Sequence, residues 1–410
     1  NMGLIGFSPL LVSNMMESSV KQELPKLPVR EEAIWNLVRN QYELHPDFIN
    51  LESGYYNIIP KPTMEKHLLH MKRVNLEGSY YMRNNRFEDK KNITAALAKQ
   101  FGCEASSLII TRNTTESLDL IIGGYPWKKG DHAIHAVQDY GAMQDMFSQI
   151  QNRHGVNITK VSVPNHPEND EEIVSLYEAQ IKPETKMIMV CHMINITGQI
   201  LPIKKICDMA HRHGVEVLVD GAHCIGHFEF KIDDLNCDYY GSSLHKWLAT
   251  PLGAGLLYIK KNHISKIWPL LADHEKDMQN IRRLSHTGTH PVATDLAIIN
   301  AIEYLNWIGV QRKEKRMRFL KSYWQTALKE VPNILINTPF ATHRSCGIGN
   351  VGLTNMSPAE LAKRLYEEYQ IFTVAIDYAN VKGCRISPNV FTTTKELDSF
   401  IDAMKYLASA

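Results

Sequence analysis

The sequence has little net charge, no long apolar run and no closely spaced pair of cysteines. The net charge at pH 7 is +1 over 410 residues, which argues against nucleic acid or an anionic membrane as a partner. Seven cysteines are scattered without CxxC spacing, so neither a disulfide framework nor a zinc site is expected. The remaining composition, 44% hydrophobic and 22% charged, is typical of a globular protein with a sizeable core.

The most apolar stretch near the N-terminus, residues 3–12, is too short to cross a bilayer. We favour its interpretation as an arm that packs on the protein or on a partner subunit, which fits a cytoplasmic protein. The alternative is the remnant of an export signal that has lost its basic start, which would make the protein exported.

The sequence contains 18 histidines, and His211 and His213 stand two residues apart in a predicted helix. Alternate positions of a helix face in different directions, so this pair is a poor chelate. We therefore predict no metal site.

The middle of the chain alternates short β-rich runs with helical periods, which predicts a parallel sheet with crossover helices. The predicted strands are residues 107–111, 132–137, 158–163, 187–192, 215–220, 238–242 and 254–259, and the predicted helices are residues 117–124, 143–154, 171–181 and 203–213.

After about residue 310 the pattern changes to that of a smaller α+β domain. A charged helix over 311–330 precedes strands near 334, 349–353 and 385–387, with helices over 358–369 and 394–408. A helix over 31–40 is expected to join this domain. The predicted organisation is an N-terminal arm and helix (1–59), a large cofactor-binding domain (60–308) and a small C-terminal domain (309–410).

The pair Asp220 and Lys246 carries the strongest chemical signal. Asp220 ends an apolar strand, and Lys246 closes the run Ser243-Leu-His-Lys246 directly after the next strand. Pyridoxal phosphate needs such a pair, because a lysine forms its Schiff base and a carboxylate keeps its ring nitrogen protonated. We therefore predict this cofactor and heterolytic chemistry at a substrate α-carbon.

Other polar and aromatic residues also follow predicted strands. Thr114 and Thr115 stand at a helix start that suits a phosphate, Tyr140 can cover a heteroaromatic ring, and Asn195 can donate to a phenolic oxygen. His223 can lie over or beside the cofactor. Each of these residues also has a structural explanation. Thr114 or Thr115 can cap a helix, Tyr140 and His223 can pack at the rim of the sheet, and Asn195 can be a turn residue. Their shared placement at the carboxyl ends of strands, where such folds bind ligands, favours the cofactor interpretation.

The chain resembles the class V aminotransferase family of fold-type I pyridoxal-phosphate enzymes. The most specific matching motifs are Asp220-Gly-Ala-His223, Ser243-Leu-His-Lys246 and Gly288-Thr289. The run Tyr140-Gly-Ala142 is similar to the isopenicillin N epimerase-like branch. The resemblance implies an α/β fold: a large domain with a mostly parallel seven-stranded sheet, and a small α+β domain.

The resemblance also implies roles for individual residues. They are Lys246 for the Schiff base, Asp220 for the ring nitrogen, Asn195 for the phenolic oxygen, Tyr140 for ring stacking, Thr114, Thr115, Ser243 and His245 for the phosphate, Thr289 for the phosphate of the partner subunit in a homodimer, and Arg385 for the substrate α-carboxylate. Arginine suits that last task because its guanidinium pairs with a carboxylate through two hydrogen bonds.

Substrate specificity is expected from residues outside this set. Tyr55 and Arg83 lie in runs rich in aromatic and cationic side chains, and Arg83 can pair with a second acidic group on a substrate. A solvated arginine before a helix explains Arg83 equally well. The predicted loop over 375–383 is short and lacks the nucleophilic cysteine of cysteine desulfurases, while Cys384 adjoins Arg385 in a predicted strand, so a desulfurase is disfavoured.

The predicted reaction begins with removal of the α-proton of an amino acid by Lys246. Reprotonation from the opposite face by Tyr140 or a water would give epimerisation, which we favour; transamination and β-elimination remain alternatives, because the motifs serve all three. A binding protein that has lost catalysis is a further alternative, and the intact set of Lys246, Asp220 and Arg385 argues against it.

Overall fold

The computed structural model describes residues 23–25 and 28–409 of the chain. The predicted arm at residues 3–12 lies outside these residues. No helix in the described part is both long and apolar enough to span a bilayer.

The helices and strands follow one another in an order close to the predicted one. Up to the first strand of the large sheet, they are α1 (Glu32–Arg39), β1 (Ile49–Asn50), α2 (Lys61–Glu77), α3 (Ser79–Asn84) and α4 (Arg86–Phe101). Then come β2 (Leu108–Thr111), α5 (Thr114–Gly124), β3 (His132–Ala136), α6 (Gly141–His154), β4 (Asn157–Val161), α7 (Asp170–Glu178), β5 (Thr185–Cys191), α8 (Ile203–Arg212), β6 (Glu216–Asp220), β7 (Tyr239–Ser243) and β8 (Gly255–Ile259). The rest comprises α9 (Val292–Ile308), α10 (Val310–Leu328), β9 (Ile334–Ile336), β10 (Gly349–Leu353), α11 (Pro358–Tyr369), β11 (Ile371–Phe372), β12 (Val374–Tyr378), β13 (Val381–Ile386) and α12 (Thr394–Ser409).

The large sheet has seven strands in the order β2-β8-β7-β6-β5-β3-β4. Strands β7, β6, β5, β3 and β4 run parallel, and β8 runs antiparallel to both β7 and β2. Apolar cores cover both faces of the sheet, so its inner strands read as continuous runs of Val, Met, Leu and Ile. The prediction of a mostly parallel seven-stranded sheet is confirmed.

The register of the parallel strands brings their carboxyl ends to one edge. Cys191 at the end of β5 pairs with Asp220 at the end of β6, and Asp220 in turn pairs with Gly241 of β7. Side chains that follow these strands therefore meet at the edge where ligands bind in such folds.

The C-terminal part is built on an antiparallel four-stranded sheet in the order β12-β13-β10-β9. Its core packs these strands against α10, α11 and α12. The N-terminal elements attach here: β1 pairs with β11, Glu32 of α1 pairs with Arg316 of α10, and Arg39 pairs with Glu396 of α12. These contacts fit a helix that joins the smaller domain, and the predicted division at residues 59 and 308 stays a prediction.

One prediction for this region was wrong. Residues 375–383 were expected to form a loop, but they form a hairpin in which β12 and β13 pair from Val374↔Arg385 to Tyr378↔Val381. Ala379 turns the chain with a φ of 52°. The sequence hides this turn because residues other than glycine seldom adopt a positive φ.

Candidate active site

A pocket of about 370 Å³ opens at the carboxyl ends of β3, β5, β6 and β7. This volume lies in the range of small-molecule sites. The pocket brings together most of the predicted site residues: Tyr55, Thr114, Thr115, Tyr140, Asn195, Asp220, His223, Ser243, His245, Lys246 and Arg385 all line it.

One end of the pocket is built for an anion. Thr114 begins α5, and its backbone N–H and hydroxyl lie 2.9 Å and 2.6 Å from the Oγ atom of Ser243, the last residue of β7. The N-terminus of a helix favours negative charge. Nδ1 of His245 is buried there without a hydrogen-bond partner among the described residues, and burial lowers the pKa of His245 to about 4. A phosphate at this end would satisfy that nitrogen.

Asp220 marks the other end of the pocket. Its carboxylate is buried, and its Oδ1 accepts a hydrogen bond of 2.9 Å from the backbone N–H of Ala222. Burial raises the pKa of Asp220, while this hydrogen bond and the charge of Lys246 oppose the rise. A buried carboxylate is costly unless a cation meets it, and a protonated ring nitrogen would do so. The residues present therefore fit pyridoxal phosphate at both ends.

A second buried carboxyl group, Asp139, lies behind Asp220. Oδ1 of Asp139 accepts a hydrogen bond of 3.1 Å from the thiol of Cys191, and its Oδ2 accepts one of 2.7 Å from the backbone N–H of Ala136. The same thiol lies 4.0 Å from Oδ2 of Asp220. Burial raises the pKa of Asp139 to about 7. Sequence reasoning missed this residue, although it immediately precedes Tyr140.

Lys246 lies beside His223, and the contacts of His223 show which of its ring nitrogens carries the proton. Nζ of Lys246 is 3.3 Å from Nε2 of His223, and the indole N–H of Trp247 donates to Nδ1 of His223 at 3.3 Å. An indole can only donate, so Nδ1 accepts and neutral His223 carries its proton on Nε2. Nε2–H then donates to Nζ, which requires a neutral amine. Removal from bulk water lowers the pKa of Lys246 to about 8, although Asp220 opposes the shift.

Arg385 lines the pocket, yet its guanidinium already has a partner. Nη2 and Nε donate to the two carboxylate oxygens of Glu52 at 2.6 Å and 3.0 Å. Nη1 donates to the backbone oxygen of Asn195 at 3.3 Å. Sequence reasoning missed Glu52, because its partner lies 333 residues away in the chain.

Two predicted site residues lie elsewhere in the described structure. Arg83 is exposed on α3, and Thr289 is exposed shortly before α9; neither lines the pocket. The structure therefore does not bring Arg83 to this protomer's pocket, and a role for Thr289 in a partner subunit stays a prediction. Arg112, which was not predicted, lines the pocket and pairs with Glu116 at 3.0 Å.

The two histidines considered as a chelate point to different carboxylates. Nε2 of His211 lies 2.9 Å from Asp238, and Nε2 of His213 lies 2.9 Å from Glu178. Over the described residues, no group of three or more His, Cys, Asp and Glu side chains is placed to hold a metal ion.

The family profile "Aminotransferase class-V" matches residues 63–400. The chain belongs to this family. Its members and relatives identify it as an enzyme and pyridoxal phosphate as its cofactor. The pocket described above brings together residues that could hold this cofactor.

Comparison with individual proteins supports the same assignment. The chain is 24% identical to isopenicillin N epimerase of Streptomyces clavuligerus over 392 residues, covering 92% of this chain and 98% of that protein. It is 25% identical to a cysteine desulfurase of Haloferax volcanii over 320 residues, covering 72% of this chain and 73% of that one. The fold matches the apo cysteine desulfurase of Thermococcus onnurineus NA1 with a TM-score of 0.79 at 19% identity, covering 91% and 98% of the two chains.

Proposed function

We propose that this enzyme moves a proton at the α-carbon of an amino acid, in the manner of an epimerase, with Lys246 as the residue that attaches the cofactor and removes the proton. The observation that carries the proposal is the contact of 3.3 Å between Lys246 and His223. In this contact the amine accepts the Nε2–H of His223, and removal from bulk water lowers the pKa of Lys246 to about 8. Both favour the neutral amine, which is a nucleophile and a base.

The other residues of the pocket hold the cofactor and position it. Bound pyridoxal phosphate would draw electrons from the substrate α-carbon, so that a bond there breaks heterolytically. Asp220 would hold the proton on the ring nitrogen, and Tyr140 would cover the ring. Thr114, Thr115, Ser243 and His245 would bind the phosphate, Asn195 the phenolic oxygen, and His223 would lie beside the ring.

Two features favour epimerisation over the alternatives. The similarity to isopenicillin N epimerases of two organisms extends over more than nine tenths of the chain. Tyr140, which lines the pocket and is 45% exposed, offers a hydroxyl that can return a proton, directly or through a water. Transamination or β-elimination on a small amino acid is the alternative, since the same residues serve those reactions.

Cysteine desulfuration is disfavoured although desulfurases are among the relatives. A nucleophilic cysteine needs an accessible thiol with a lowered pKa. Burial raises the pKa of all seven thiols here. Cys191 lines the pocket, but its thiol donates to Asp139, while Cys346 and Cys384 are fully buried.

The experiment that tests this function is proton NMR of the cofactor-loaded enzyme with a panel of amino acids in D₂O. Loss of an α-proton signal while the product remains an amino acid, with chiral analysis of the same sample showing inverted configuration, would support epimerisation. A keto acid or an eliminated fragment would overturn it in favour of transamination or a lyase reaction. A Lys246→Ala variant is the control, since turnover without this lysine would contradict the proposed mechanism.

A further inference from the structure

The guanidinium of Arg385 is held by a carboxylate of the chain itself. Two of its nitrogens bond Glu52 at 2.6 Å and 3.0 Å, and the side chains of the pair are only 7% and 4% exposed. Two parallel N–H···O bonds are the arrangement with which arginine binds a carboxylate ligand. Glu52 therefore occupies one of the two-donor edges with which this guanidinium could hold the α-carboxylate of an amino acid.

Glu52 is also fixed from its other side. Its Oε1 accepts hydrogen bonds from the backbone N–H groups of Gly54 and Tyr55 at 3.0 Å and 2.8 Å, and its Oε2 accepts one of 3.1 Å from the hydroxyl of Ser387. The backbone at Gly54 lies against the guanidinium, since a Cβ atom there would be 3.0 Å from Cζ of Arg385. Pulling Glu52 away would leave a buried carboxylate without these partners, which is costly.

The pair presents a nearly neutral surface to the pocket. A substrate carboxylate that approaches Arg385 meets the negative charge of Glu52 beside it. Of the five N–H groups of the guanidinium, three already donate, two of them to Glu52 and one from Nη1 to the backbone oxygen of Asn195. Since the attraction of one charge is offset by the repulsion of the other, a free α-carboxylate gains little by binding here.

We propose that Glu52 is a specificity-determining residue, which neutralises Arg385 and makes the pocket accept amino compounds with little preference for a free α-carboxylate. This inference rests on the proposed function, in which an amino compound reacts at the cofactor. It extends the substrate class to compounds that carry a neutral group, such as an amide, in place of the α-carboxylate. The enzyme would then distinguish substrates by the rest of the molecule.

The test measures affinities through the absorbance spectrum of the bound cofactor. Cofactor-loaded wild-type and Glu52→Gln enzymes are titrated with a panel of L-amino acids and with their primary amides. The wild-type enzyme should bind each acid and its amide with dissociation constants within about threefold of each other, because the carboxylate gains little. Glu52→Gln should bind the acids about tenfold more tightly or better, as expected for a new charge-assisted hydrogen bond, and leave the amides unchanged.

Glu32→Gln is the matched control. Glu32 pairs with Arg316, a fully buried arginine that does not line the pocket, so its loss weakens a comparable pair without altering the ratio of acid to amide affinity. Should Glu52→Gln fail to fold, Glu52→Ala also removes the charge beside Arg385, and it should likewise tighten binding of the acids.

Two failures are distinguishable in this experiment. A wild-type enzyme that prefers acids over amides by tenfold or more, or a Glu52 variant in which acids gain no affinity, would overturn the role of Glu52 alone. A loaded enzyme whose spectrum responds to no amino compound would overturn the proposed function itself.

Discussion

Nζ of Lys246 and Nε2 of His223 are 3.3 Å apart, and the indole of Trp247 fixes which of them carries the shared proton. With Nδ1 of His223 engaged as an acceptor, the imidazole donates from Nε2, and the lysine is stabilised as a free amine. Trp247 is therefore a positioning residue that acts on Lys246 through His223.

Attachment of pyridoxal phosphate to the apoenzyme should become faster as the pH rises through about 8, the lowered pKa of Lys246. Only the neutral amine reacts with the cofactor aldehyde. Stopped-flow absorbance over a pH series measures the midpoint. A midpoint near ~10.4, the value of an ordinary lysine, would contradict the geometry around Nζ.

Trp247→Phe should raise that midpoint. Without the indole donor, His223 can place its proton on Nδ1 and accept at Nε2, which stabilises the ammonium form of Lys246. The loss of one hydrogen bond of about 1 kcal/mol corresponds to a shift of somewhat less than one pH unit. Trp127→Phe is the control, since Trp127 is also buried and donates to the backbone oxygen of Ile122, outside the pocket. An equal midpoint in both variants would refute the positioning role.

Asp220→Asn should lower the activity of the enzyme without lowering its stability. Burial raises the pKa of Asp220, so its charge costs free energy in the apoenzyme, and the neutral amide should leave the melting temperature unchanged or raise it. Turnover should fall by about 10² or more, because an amide cannot keep the ring nitrogen protonated. Calorimetry of the apoenzyme and a turnover assay check both parts. A variant with full activity would show that Asp220 does not serve the cofactor.

The sequence alone predicted that Asp220 and Lys246 lie at one edge of the sheet, because their signals are local. Each follows an apolar strand, and the parallel arrangement of β6 and β7 places their carboxyl ends at one edge. The same reasoning predicted that Thr114 and Tyr140 lie at this edge, and both line the pocket, while their roles toward the cofactor stay predictions.

The positions of Glu52 and Arg83 relative to the pocket could not be predicted in this way. Glu52 becomes important only through Arg385, which is remote in the chain. The two residues meet because the N-terminal segment pairs with the residue that follows β13, in the bridge between Glu52 and Ser387. Arg83 stands in a suggestive motif, but nothing in the motif tells which side of the short helix α3 faces the pocket. Contacts made by tertiary packing leave no periodicity to detect.

Asp139 should make the apoenzyme less stable at alkaline pH. Its pKa is raised to about 7 in the folded state, whereas an unfolded aspartate titrates near ~3.9. The folded state therefore holds a proton that the unfolded chain releases, and the stability gained at low pH is lost as the pH rises through about 7. Between pH 6 and 8.5, the wild type should lose about 1.4 kcal/mol more stability than Asp139→Asn.

Denaturant unfolding of both apoenzymes at the two pH values gives this difference. Asp145→Asn, which changes an exposed carboxylate of α6, is the control and should behave like the wild type. The same loss of stability in Asp139→Asn as in the wild type would show that this carboxyl group is already ionised at pH 6.

The proposed homodimer makes a prediction about mixed dimers, because Thr289 is expected to reach the phosphate of the partner subunit. Thr289→Asp should weaken cofactor binding by repulsion between the carboxylate and the phosphate, and Lys246→Ala should abolish turnover. In a mixed dimer, one site would combine Lys246 of the first variant with Thr289 of the second and be intact, while the other site would carry both defects. Unfolding and refolding the two variants together, with an assay at a cofactor concentration too low to load Thr289→Asp, should therefore restore up to about a quarter of the wild-type activity, if half of the dimers are mixed and one site in each is active. Each variant refolded alone is the control, and a mixture that stays inactive although mass spectrometry detects mixed dimers would show that Thr289 does not act across the interface.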